Sequence, residues 1–129
     1  MRDDKDNIIV SKTFDFGEAI QGAADSLVGV VDMHNSEKLR SNHKYEMCSQ
    51  LFKSGTSIGA NVWGAQNAES NADFIHKFKI SAKEADETNY WLKLCKASKH
   101  LPDPNEELFS ELTSIIKITS KIISSSKRR

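Results

Sequence analysis

The stretch "SGTSIGANVWGAQNAES", residues 54–70, sets Gly55, Gly59 and Gly64 among apolar residues at helical intervals. Two readings compete: a helix whose missing Cβ atoms let a second backbone come close, or a glycine loop whose amides cradle a phosphate. A phosphate loop of the Walker type needs G-x-x-x-x-G-K-[ST] after a strand. Gly59 and Gly64 have the first spacing, but Ala65 and Gln66 stand where Lys and Ser/Thr belong, and no strand pattern precedes them. Cys48, Leu51, Gly55, Ile58, Val62 and Ala65 recur in alternating steps of three and four, a seam that runs unbroken through the glycines. The spacing predicts a helix. Each glycine costs that helix about 1 kcal/mol of propensity relative to Ala, so three of them imply a compensating close contact; the alternative is that they kink or loosen it. Ser81, Ala82 and Ala85 offer small side chains at matching depth in the next helix, which is therefore the expected partner.

Outward from this seam the same period returns. "SNAD" at 70–73 is a weak relative of the capping box, and Phe74, Phe78, Ser81, Ala85, Thr88, Leu92 and Cys95 then carry a third helix to about Lys99, where "HLPDP" ends it. "DPNE" at 103–106 predicts the next start, with Asp103 as N-cap, Pro104 at N1 and Glu106 at N3. Leu108, Leu112, Ile115, Thr119 and Ile122 form one stripe of that fourth helix, with Phe109, Ile116 and Ile123 beside it. Phe16, Ile20, Ala24, Leu27 and Val31 mark a first helix over 15–34, interrupted by "HNSEKLRSNHK". Before it, residues 1–14 read as a short arm in which "NIIVS" at 7–11 is ordered extended chain, and 124–129 read as a basic tail. The expectation is a single all-α domain over 1–129, an antiparallel up-down-up-down four-helix bundle. Its two central helices, at roughly 30 residues, would be about 40–45 Å long, with a hairpin turn at 67–70. Reflecting Cys48 through that turn lands near Asn89, roughly 9 Å along the axis from Cys95, beyond the reach of a disulfide. Both thiols should be free.

The 129 residues carry 18 basic and 18 acidic side chains, so no net field draws the chain to nucleic acid or to an anionic membrane. Their distribution is uneven: residues 1–35 hold three basic and seven acidic side chains, and the remainder is mildly basic. No apolar run approaches the length of a membrane span, and "MRDDKDN" lacks the apolar centre of a signal peptide, so the expected location is cytoplasmic, with no membrane partner. Two cysteines without C-x-x-C spacing fit a reducing compartment.

Residues 50–94, "QLFKSGTSIGANVWGAQNAESNADFIHKFKISAKEADETNYWLKL", resemble the four-helix bundle proteins encoded in intervening sequences of bacterial 23S ribosomal RNA genes, often labelled S23-type ribosomal proteins. The matching positions are Ser54, Thr56, Ser57, Ile58, Ala60 and Asn61 in helix two, then Ser70, Asp73, Phe74, Lys77, Lys83, Glu84, Glu87, Thr88, Tyr90, Trp91 and Leu92 in helix three. The resemblance implies a cytoplasmic bacterial bundle whose relatives assemble as homopentamers around a central channel. Similar bundles are accessory proteins of diversity-generating retroelements, where they bind nucleic acid and a reverse transcriptase. Gly64 replaces the family's usual Glu and Lys53 its usual Arg, so a charged site built on that pair would be altered here.

The polar stripe beside the seam of helix two, Gln50, Ser54, Ser57 and Asn61 with Lys53, faces a helix carrying Lys77, Lys83, Glu84, Glu87 and Thr88. The leading reading is an interhelical polar network or a subunit interface, which favours one alignment more than it adds stability. The alternative is an enzyme that uses the Lys77, Glu84, Glu87 and Asn61 cluster for acid–base chemistry. A di-metal carboxylate site would want Glu-x-x-His on two helices. None of His34, His43, His76 and His100 follows a Glu at that spacing, so neither metal nor cofactor is expected. The histidines read as surface or helix-end residues. Trp63, Tyr90 and Trp91 are candidate interface aromatics. Lys117, Lys121, Lys127, Arg128 and Arg129 are candidate nucleic-acid contacts, because symmetry would gather such tails into one phosphate-binding surface.

Overall fold

A computed structural model describes residues 4–34, 43–98, 101 and 103–128. Four helices carry the chain: α1 (Asp4–His34), α2 (Lys44–Ala65), α3 (Asn71–Ala97) and α4 (Glu106–Lys127). They contact one another in the cyclic order α1, α2, α3, α4, α1. Each contact is antiparallel: Gly55 meets Ile20 while Gly59 meets Thr13, Ser81 reaches Ile58 while Gly64 meets Lys77, and Asn71 reaches Ser126 while Lys96 pairs with Glu106. This is the expected up-down-up-down bundle.

The core is the set of seams read from sequence. Ile20, Leu51, Ile58, Val62, Phe78, Leu92, Leu112 and Ile115 are fully or almost fully buried, each worth about 1.5–3 kcal/mol of apolar burial. The buried hydroxyls are satisfied close to home. Thr13, Ser54, Thr88 and Thr119 donate to carbonyls three or four residues back in their own helices, which lets a polar residue sit in an apolar seam without an orphaned group.

That device explains the largest correction. The first helix begins at Asp4, eleven residues before the start at 15, so the expected arm is helical and "NIIVS" is not extended chain. Its seam continues backward from Phe16 through Thr13 to Ile9, all buried. The consecutive apolar residues Ile8, Ile9 and Val10 disguise the period, and the position that would reveal it is a threonine whose Oγ1 donates to the Ile9 carbonyl at 2.8 Å.

The ends of the other helices shift less. α2, with 22 residues, is shorter than the nearly 30 expected, while α3, with 27, comes close to it. Ser70 caps α3 as expected, its Oγ accepting from the Asp73 amide at 3.0 Å, while Asp73 Oδ2 accepts from the Glu69 amide. For α4 the cap is Asn105 rather than Asp103: its Oδ1 accepts from the Glu107 amide at 2.7 Å, leaving Pro104 outside the helix. Asn105 supplies an oxygen as good as that of Asp103, two residues nearer the first buried residue of the helix, Leu108. α4 itself runs to Lys127, so the basic stretch from 124 is mostly helical. The connection 35–42 lies outside the described residues. Cys48 and Cys95 are free and buried. Pairing Ile58 with Ser81 sets Cys48 opposite residue 91, roughly 6 Å along the axis from Cys95, somewhat nearer than reflection through the turn suggested.

A candidate assembly surface on the first two helices

The glycines do bring two backbones together, but the main partner is α1. A Cβ on Gly55 would lie 2.6 Å from Ile20 Cγ2, and one on Gly59 would lie 3.1 Å from the Thr13 carbonyl oxygen. Gly17 returns the contact from α1, its Cβ position falling 4.0 Å from Thr56 Cα. Toward α3 the approach is marked instead by Ser81, fully buried, whose Oγ donates across to the Ile58 carbonyl at 2.9 Å. Gly64 is less crowded, with the Lys77 side chain 3.6 Å from where its Cβ would be.

Where α1 and α2 come close, their outer sides leave a groove of about 380 Å³. From α1 it is lined by Val10, Phe14, Gly17 and Gln21, and from α2 by Thr56, Gly59, Ala60 and Trp63. Gly17 and Gly59 keep its floor low, and Phe14 and Trp63 are large apolar side chains beside it, 58% and 61% exposed. A buried seam cannot account for side chains this exposed. Glu18 adds a carboxylate to the wall.

The other candidate residues separate. Asn61 donates to the Ser57 carbonyl and Oγ within α2, Ser54 to Leu51, and Thr88 to Glu84 within α3. The polar stripes thus spend these bonds inside their own helices; the fully buried bond that crosses between α2 and α3 comes from Ser81, and a second crosses at the helix ends, from Lys44 Nζ to Ser98 Oγ at 3.0 Å. Lys53, Lys83 and Glu87 are exposed. Lys77 lies 3.9 Å from Asp73, one turn back. Burial, reinforced by the adjacent Glu87 carboxylate, pushes the Glu84 carboxyl above its usual range. Tyr90 is 58% exposed and stands edge-on to Trp91, with ring centroids 5.1 Å apart. Trp91 packs against the core, and its buried Nε1 meets no acceptor among the described residues. Lys117, Lys121, Lys127 and Arg128 are exposed along α4, while Arg129 falls outside the described residues. His43 begins α2 with a left-handed φ of 59° and His76 is exposed; the side chains of His34 and His100 are outside the described residues.

Burial raises both thiols, Cys95 to about 11 with the nearby Cys48 adding to the effect. Neither is a ready nucleophile at neutral pH. Among the described residues no three His, Cys, Asp or Glu side chains are grouped to hold a metal ion, and no helix is long and apolar enough to cross a membrane.

The sequence reading does not single out Phe14 in the groove or the exposed Phe52, one turn before Thr56. A signal was present: Val10, Phe14, Gly17 and Gln21, like Phe52, Thr56, Gly59 and Trp63, step by four, three and four along a second stripe of each helix.

The family model of the 23S rRNA-intervening sequence protein matches residues 18–125. The chain belongs to that family. A solved relative of this 23S rRNA-intervening sequence protein is a protein of unknown function from the S23 ribosomal protein family of Bacteroides thetaiotaomicron VPI-5482, known from a crystal structure at 1.70 Å resolution. The two are 36% identical, with a TM-score of 0.75, and the match covers 93% of this chain and 98% of the other. No curated protein matches this intervening-sequence protein.

Proposed function

We propose that this intervening-sequence protein is a non-enzymatic subunit that assembles with copies of itself, as a homopentamer by analogy with its family, into a cytoplasmic scaffold that contacts nucleic acid or a nucleic-acid enzyme. The groove between α1 and α2 carries the reading. Helices that needed only a monomeric core would not turn Phe14 and Trp63 outward beside a glycine floor, and contiguous apolar surface of this kind marks an interaction site. Trp is also the residue type most favoured at the centre of interfaces.

Nucleic-acid contact is supported by the second half of α4. From Leu112 to Arg129 the sequence contains no Asp or Glu, and Lys117, Lys121, Lys127 and Arg128 are exposed. Repetition by symmetry would multiply a stripe too weak to hold phosphates alone. Chemistry on the chain's own side chains has little support: the thiols are held protonated, and Asn61 is tied to Ser57 rather than directed at the Glu84–Glu87 pair.

Light scattering of the purified chain tests the assembly directly. The expected result is an oligomer that shifts toward monomer in Trp63→Ala and Phe14→Ala while the helical content and melting temperature of the dissociated chain stay intact. Nucleic-acid affinity should fall steeply across a salt series. A wild-type chain that is monomeric at high micromolar concentration would falsify the assembly reading.

A further inference from the structure

Resting on that reading, we infer that the α1–α2 groove receives the Tyr90–Leu94 turn of α3 from a second copy, so that the contact is head-to-tail rather than groove-to-groove. Two different patches of the molecule are complementary. The groove is concave, apolar and acidic at its wall, with Glu18 beside Gly17 and Asp25 two turns further along the same face of α1. The α3 patch is convex and apolar, with a cation at its C-terminal end and the exposed Asp86 and Glu87 one turn before Tyr90. Tyr90 is 58% exposed and Leu94 36% exposed on consecutive turns, and Lys93 is exposed next to them.

The charges are left over from the fold. Among the described residues the ion pairs are Lys12–Glu111, His43–Glu46, Lys77–Asp73 and Lys96–Glu106, so Glu18, Asp25 and Lys93 have none. Bringing the α3 patch to the groove sets the unpaired ammonium against the unpaired carboxylates, which orients the approach and disfavours a groove facing another groove. That second arrangement would juxtapose two Glu18 side chains.

Shape and rigidity agree. The glycine floor accepts a side chain the size of Leu94, and the Tyr90 ring is braced edge-on by Trp91 at 5.1 Å, so less rotamer freedom is lost on docking. Because groove and projection are different surfaces, every docked copy keeps one of each free. Such a heterologous contact propagates until rotation closes a ring.

Cysteine cross-linking tests the geometry. Ala60→Cys places a thiol at the groove and Ala97→Cys places one a turn beyond Leu94, both on exposed alanines; the buried native thiols set the background in the wild-type chain. A short bis-maleimide should join Ala60→Cys chains to differently tagged Ala97→Cys chains, and should give a ladder of products in the double variant but no dimer in Ala60→Cys alone. Glu18→Lys and Lys93→Glu should each weaken association about fivefold, and the two together should restore it. An oligomeric wild type in which Ala60→Cys links to itself, or in which the mixed pair gives no product, overturns the head-to-tail contact and leaves assembly standing. A monomeric wild type removes both.

Discussion

α2 has two neighbours and meets them by different means, and α4 meets the rest of the bundle by a third. Against α1 the contact is made by absence: Gly55 and Gly59 remove side chains so that Ile20 and the Thr13 backbone fit where Cβ atoms would be. Against α3 it is made by one buried hydroxyl, Ser81, bridging to Ile58. α4 is held by bulk, with Leu108, Leu112 and Ile115 buried, Phe109, Ile116 and Ile123 packed beside them, and the Lys96 ammonium 5.5 Å over the Phe109 ring. The lesson concerns the sign of a mutation. Removing atoms should hurt on the α4 side, and adding atoms should hurt on the α1 side.

The largest effect is expected where bulk does the holding. Leu112→Ala should lower stability by about 2–5 kcal/mol in urea unfolding, because a fully enclosed site collapses poorly around the missing atoms. Gly55→Ala comes next. Helix propensity alone would favour Ala by about 1 kcal/mol, yet the new Cβ would press on Ile20, which is itself fully buried. We expect a net loss of about 1–2 kcal/mol, and a double-mutant cycle with Ile20→Ala should be strongly non-additive. A stabilised Gly55→Ala would mean that α1 and α2 are not in close contact.

Gly64→Ala sharpens the contrast within one helix. Its Cβ would meet Lys77 at an ordinary 3.6 Å, so propensity should win and the variant should gain about 0.5–1 kcal/mol. The smallest effect concerns Glu84. Its folded carboxyl is raised above the unfolded value by burial and by Glu87, so the folded state holds its proton longer. Stability from this group is therefore fully present at low pH and declines as pH rises from the unfolded value through the folded one. Glu84→Gln should raise the melting temperature by about 1–3 °C at pH 7, with the gain vanishing toward acid; a gain independent of pH would assign it to something other than ionisation.

How much of this was legible depends on the kind of residue. The seams of α2 and α3 could be read because Leu51, Ile58, Val62, Phe74, Phe78 and Leu92 bury an unbroken period, and Ser70 announced its cap by type and spacing. The first turns of α1 were hidden by Thr13, a polar residue doing the work of an apolar one through a bond to its own helix. The polar stripes misled in the opposite direction: Asn61, Ser54 and Thr88 looked like partners across a helix pair, but a carbonyl three or four residues back is nearer than any neighbouring helix. For the site, Trp63 and Tyr90 stand out in the sequence as large aromatics, whereas nothing local to Phe14 marks it, and only the fold leaves it 58% exposed.

By itself the sequence determined that this chain makes helices and where three of the four begin to within a few residues, since period, capping and proline placement act over one or two turns. It also determined that this helix would pack closely against something, because Gly55 and Gly59, four apart on one face, carry a propensity cost that close contact offsets. Only the tertiary structure decided that the contact is with α1, and that the same approach opens a groove on the outside. Both follow from how two helices are rotated about their axes relative to each other, and that rotation is set by the sum of packing around the whole ring of helices.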